Sequence, residues 1–255
     1  MVSDITHIQQ SLDQLIQKTA ELAHTARERY GQYVAMLGPA VSQKLVLASY
    51  HLCTQEYPGA FLQLSLNQQQ TLQQGVQQFG QDLKESLTAA LQPLNTWDRE
   101  GEGTPEQLIT LLQDIEQSFL DVLRQISQQT NQLLQDHQII NIKSMELLFD
   151  IASKAAEQGR PITSAPHLIK ALMEEEDQDE SSSEGTSEPV VAIFLQLSDL
   201  EFTDVEVMNE RHQLRQLWQS LKALQDAYEQ KQREKTIAEA TAAWRASWFP
   251  ISTDE

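Results

Sequence analysis

Apolar side chains recur at alternating intervals of three and four residues through several long stretches of this chain. That spacing restricts each stretch to an amphipathic helix with one buried seam. The first runs from about Ser3 to Tyr33, with Ile5, Ile8, Leu12, Leu15, Leu22 and Ala26 on the seam and Thr19 and Arg29 in its remaining positions. The most regular seam is Leu108, Leu112, Ile115, Phe119, Val122, Ile126 and Leu133, with Gln129 in one polar slot. A third lies at Leu214, Leu217, Leu221, Leu224 and Tyr228, within a helix expected to continue to Trp248.

Punctuation between the seams sets helix boundaries. Gly38-Pro39 is expected to stop the first helix, because proline has no amide proton and restricts the residue before it. A second helix should then run from Ala40 to Glu56, ending before Pro58-Gly59. Ser65-Leu66-Asn67-Gln68 and Thr104-Pro105-Glu106-Gln107 have the form of capping boxes, the latter with proline at the first helical position. The helix opened at Ser65 carries Leu72, Val76, Phe79, Leu83, Leu87 and Ala90 and ends near Pro93. Asn95–Gly103 reads as a loop, Ser144–Gln158 and Pro166–Met173 as two short helices, and Val190–Leu197 as a compact apolar helix. Thr203-Asp204-Val205-Glu206 is a further capping box, opening the last helix.

Glutamine, about one residue in seven, suits the exposed faces of such helices, since it favours helix without adding charge. The net charge of −19 is concentrated in part between residues 174 and 188, whose eight carboxylates face no Lys or Arg; the rest of the chain carries −11. That segment, with Ser181-Ser182-Ser183, has too little apolar surface to offset its ordering entropy and reads as a disordered linker. The reading is therefore an all-α fold, an elongated helical bundle with coiled-coil-like seams and a disordered acidic linker. A multi-helix bundle over 1–173 precedes the linker at 174–188. A helical hairpin with a long C-terminal helix follows over 189–249, free to pack on the first unit, and 250–255 is a tail.

The same features narrow the function. An acidic chain without a basic stripe is a poor nucleic-acid ligand. No apolar run reaches the roughly 18 residues that a membrane span needs, and the N-terminus lacks a secretory leader, so the expected address is cytoplasmic. The single cysteine, Cys53, excludes an intrachain disulfide and a cysteine-based zinc site; it reads as a small buried hydrophobe. His51, two residues away on a helix, points to another face, which argues against a nucleophile and base pair. Nucleotide-binding loops, a calcium loop and a G-x-S-x-G elbow are all missing. A bundle holding a carboxylate-bridged metal pair needs Glu-x-x-His on two helices. Glu21-Leu22-Ala23-His24 supplies one, and a surface histidine beside an acid explains it as well. The expectation is a chain that is not an enzyme and binds no cofactor.

The C-terminus is more informative. Trp244 and Trp248 stand four residues apart on one face of a small-residue helix, flanked by Arg245 and Phe249. Aromatic anchors of this kind serve as interface hot spots. The ridge either packs on this chain's own bundle, docks on a protein partner or a second copy, or, less readily given the mixed flanking charge, lies on a membrane surface. The Val41-Ser42-Gln43-Lys44-Leu45 to Tyr57-Pro58 stretch, the Phe202-Thr203-Asp204 turn and the Ala243-Trp244-Arg245-Ala246-Ser247-Trp248 ending, set among glutamine-rich helices, resemble acidic helical proteins of cyanobacteria. The resemblance implies a bacterial cytosol and brings with it no function and no site residue.

Overall fold

The computed structural model describes residues 2–97, 103–142, 167–172 and 189–247. Helix α1 (Val2–His51) passes into a π-helical turn (Leu52–Glu56), followed by α2 (Pro58–Gln63), α3 (Leu66–Ala89), α4 (Gln92–Thr96) and α5 (Pro105–Asp136). Strands β1 (Leu168–Leu172) and β2 (Pro189–Ile193) come next, then α6 (Leu197–Thr203) and α7 (Val205–Ser247). The fold is mostly helical, as the seams require. Two compact units divide it: Met1–Gly31, Leu91–Ile115 and Arg211–Glu255 form one, and Gln32–Ala90 with Glu116–Glu210 the other. Helices α1, α5 and α7 each contribute residues to both.

In the first unit, Leu12, Ala23, Ala26 and Tyr30 of α1, Leu108, Leu112 and Ile115 of α5, and Leu214, Leu217, Leu221 and Leu224 of α7 are buried. Helices α1 and α7 run antiparallel. Lys235 Nζ donates to Gln9 Oε1 at 2.8 Å, and Trp218 Nε1 donates to Tyr30 Oη at 3.1 Å. In the second unit, the Tyr33 and Phe119 rings stand 6.1 Å apart, both buried, and Tyr33 Oη donates to Glu201 at 2.7 Å. Gly80 of α3 lets the backbone come close to α1: Ser42 Oγ lies 2.7 Å from its carbonyl oxygen, and a Cβ there would stand 3.1 Å from that of Ser42.

Both N-terminal caps anticipated for α3 and α5 form. Ser65 N donates to Gln68 Oε1 at 2.9 Å and Gln68 N to Ser65 Oγ at 3.4 Å; Thr104 and Gln107 repeat the pattern at the same distances.

Four sequence expectations are corrected. Helix α1 does not stop at Gly38-Pro39 but carries Pro39 in its interior. Pro39 and Ala35, whose carbonyl loses its intrahelical partner, are both exposed, so water can serve that oxygen while Leu37, Ala40 and Val41 pack on the opposite face. Residues 168–172 and 189–193 are not helical but pair as an antiparallel hairpin, Leu168 opposite Ile193 and Lys170 opposite Val191. Short apolar runs are ambiguous between a buried strand and a buried helix, and Val190, Val191 and Ile193 are β-branched. Helix α7 is capped one residue later than the T-x-x-E reading: Asp204 Oδ1 accepts from the amides of Glu206 and Val207 at 3.0 and 3.1 Å, while Thr203 Oγ1 donates back to Asp199 O. Along α5 the buried position moves off the heptad, with Leu123 and Leu134 buried where Val122 and Leu133 were expected. A helix of 3.6 residues per turn drifts about 20° per heptad, so an unsupercoiled helix changes its inward-facing register. The helix expected at 144–158 and the linker at 174–188 lie outside the described residues.

Candidate interaction surface

Beyond Leu224, helix α7 continues to Ser247, yet none of residues 225–247 is buried. The helix is regular there because its sequence is rich in Ala, Glu, Gln and Lys, which hold helical geometry without tertiary help better than most residues. Ile237 is 57% and Trp244 67% exposed, so Trp244 is not part of the core. Arg245 is exposed beside it; Trp248 and Phe249, the other members of the expected ridge, lie outside the described residues.

A groove of about 560 Å³ opens along the same helix where it runs beside α1. Its α7 wall is made of Leu224 and the small residues Ser220, Ala223 and Ala227, and its α1 wall of Leu15, Lys18, Leu22 and Thr25. This stripe of small residues escaped sequence reading because the stronger leucine seam beside it drew the helical period. Glu21 lies at the rim of the groove. Glu21 and His24 are both exposed, and His24 Nδ1 stands 3.7 Å from Oε1 of Glu28, one turn further along α1. No cluster of three or more potential metal ligands occurs among the described residues.

The hairpin is finished differently. Asn131 of α5, buried, donates through Nδ2 to Ile193 O at 2.8 Å and accepts from Ile193 N at 2.9 Å. Ser127 Oγ accepts from Leu195 N at 3.0 Å, and Tyr57 Oη accepts from Val191 N at 2.8 Å. These side chains occupy the edge of β2 that faces away from β1 and thereby close it to further strand pairing. Ser127, Thr130 and Asn131 lie beside the heptad read from the sequence, and they are buried because the inward face of α5 shifts off that heptad. His167, at the start of β1, is 4% exposed with φ 63°, and neither ring nitrogen has a hydrogen-bond partner among the described residues. Burial pushes its pKa down; Asp199 opposes that shift and Lys44 reinforces it.

A second concavity, about 370 Å³, lies beside the π-helical turn between α1 and α3, lined by Val46, Cys53, Phe61, Leu72 and Val76 among others. π-helical turns often mark functional positions. Two of its polar lining groups are already engaged: Ser49 Oγ donates to Leu45 O and Thr54 Oγ1 to Tyr50 O. Burial pushes the Cys53 thiol up to about 11 and keeps it protonated near neutral pH, the opposite of an activated nucleophile. His51 is exposed and does not line the concavity.

Among the described residues no helix is long and apolar enough to cross a membrane. Compared with protein-family models, with curated proteins and with solved structures, the chain matches none of them.

Proposed function

We propose that this chain is a non-catalytic helical interaction or scaffold protein, pairing with itself or with another helical protein through the C-terminal part of α7. One observation carries the reading: a helix of 43 residues has no fully buried residue after Leu224 while presenting Ile237 and Trp244 to solvent. Propensity can hold this stretch helical, but an exposed isoleucine and tryptophan on it are apolar anchors of the kind that helical interfaces bury. Coiled-coil-like pairing, a cytoplasmic setting and kinship with the acidic helical proteins of cyanobacteria belong to the same proposal. The acidity of the chain argues against nucleic acid as that partner. Affinity capture on the full chain from its native lysate, beside light scattering of the purified protein, tests it. A strict monomer that recovers no protein through residues 237–247 refutes the reading.

A second reading, a small regulatory bundle that binds an apolar molecule, is favoured by the cavity beside Cys53, whose volume of about 370 Å³ lies in the range of ligand pockets. A rise in thermal midpoint with a neutral apolar probe such as naphthalene, lost on Val76→Trp, supports it; an unchanged midpoint argues against it.

A further inference from the structure

The exposed face of α7 carries a pattern that fits its own inverse. Ser220, Ala223, Ala227, Gln230, Glu234, Ile237, Thr241 and Trp244 repeat at alternating spacings of three and four along a face distinct from the buried leucines. The first three are small and line the groove beside α1; Ile237 and Trp244 near the other end are large and exposed. In an antiparallel pair of α7 helices with its twofold axis between Gln230 and Glu234, each large residue meets a small one. Ile237 then faces Ala227, Trp244 faces Ser220, and Thr241 faces Ala223. A parallel pair would set tryptophan against tryptophan and alanine against alanine, leaving bulk and gaps at opposite ends.

We propose that a second copy of this chain occupies the α1–α7 groove, joined through an antiparallel, twofold α7 pair in that register. The proposal rests on the helix-pairing function above and narrows it to one partner. Twofold interfaces are self-complementary by construction, each patch meeting its own inverse. The seam spans about 36 Å of helix at 1.5 Å per residue. Leu15 and Leu22 of α1, both half-buried, extend the floor that receives Ile237 and Trp244 of the other copy. Gln230 and Glu234, already hydrogen-bonded within one helix, form a polar centre, and polar residues in a helical seam select register and orientation. Charge also permits the approach. The chain carries −19 overall, but from Ser220 to Ser247 five basic residues stand against four acidic ones, so two copies meet where their mutual repulsion is weakest.

Analytical ultracentrifugation of the full chain at micromolar to high-micromolar concentration tests this. A monomer–dimer equilibrium is expected, weakened about 30-fold or more by Trp244→Ala, the loss typical of a hot-spot anchor. Ala227→Arg, on the opposite half of the seam, is expected to abolish dimer with an unchanged circular dichroism spectrum, which separates interface loss from unfolding. Mixing the Ala227→Cys and Ile237→Cys chains under oxidation should give the cross-linked heterodimer as the main product, Cys53 being buried. Strict monomer behaviour, a dimer indifferent to Trp244→Ala and Ala227→Arg, or efficient self-cross-linking of Trp244→Cys would each overturn the inference. A monomer that binds a different helical protein through Trp244 would overturn it while sparing the proposed function. A monomer that instead sediments with phosphatidylcholine vesicles, and binds no protein, would overturn both.

Discussion

The outer edge of β2 meets Asn131, Ser127 and Tyr57, which take up its backbone groups, whereas α7 beyond Leu224 meets no cover of comparable extent from its own chain among the described residues. Both are surfaces on which a protein could associate. A strand edge left open binds other strands indiscriminately, because backbone groups carry no sequence identity, and this chain closes that edge from within. A helix face has its own backbone hydrogen bonds satisfied, and what it offers is shape. Leaving it uncovered therefore exposes a selective surface rather than an indiscriminate one.

The contrast can be broken most forcefully at Asn131. Asn131→Leu keeps the volume but leaves the buried amide and carbonyl of Ile193 unpartnered, and should cost about 2–5 kcal/mol of unfolding free energy. Urea denaturation measures it, and loss of hydrogen-exchange protection at Ile193 shows whether the damage is local to β2. Ser127→Ala removes one acceptor, for Leu195 N, and is expected to cost about 1–2 kcal/mol in the same assay. If both variants unfold like the parent, the strand edge is not held by these side chains.

A smaller effect should come with pH. His167 is folded as the neutral ring, with a pKa below its ordinary 6.5, so the unfolded chain takes up the proton more readily. Its contribution is fully present above that ordinary value and is lost as pH falls from there through the lower folded-state pKa. Asp199 softens the loss and Lys44 sharpens it. His167→Phe should flatten this part of the stability profile between about pH 7 and 5, as followed by thermal midpoints; an unaltered slope would show that the ring does not titrate against the hairpin.

The smallest effect on folding is expected at Trp244. At concentrations where the chain is monomeric, Trp244→Ala should change unfolding free energy by less than about 0.5 kcal/mol, as for an exposed residue outside the core. A larger loss would mean that α7 is covered by its own chain after all, and the two regions would cease to differ.

Much of the helical framework could be read from residue order, since its causes are local. The caps at Ser65 and Thr104 depend on residues three apart, and a seam such as Leu108, Leu112 and Ile115 on the pitch of one helix. Pro39 misled because its cost depends on whether the carbonyl it orphans, that of Ala35, faces water, which burial of the opposite face decides. Residues 189–193 misled because an apolar run of five residues has no period of its own; strand or helix is settled by what lies beside it. The candidate ridge was legible at Trp244 and Arg245 as a pattern, but the groove of Ser220, Ala223 and Ala227 was not, because a groove needs two walls.

What the sequence determined by itself was an acidic, mostly helical chain, with the starts of α3 and α5 and the amphipathic character of its long helices. Only the tertiary structure decided that β2 has its outer edge closed by α5 and by Tyr57 after the π-helical turn, and that Ile237 and Trp244 near the end of α7 stand exposed. Helix propensity and periodicity act over a few residues, while coverage is a property of surfaces brought together from distant parts of the chain.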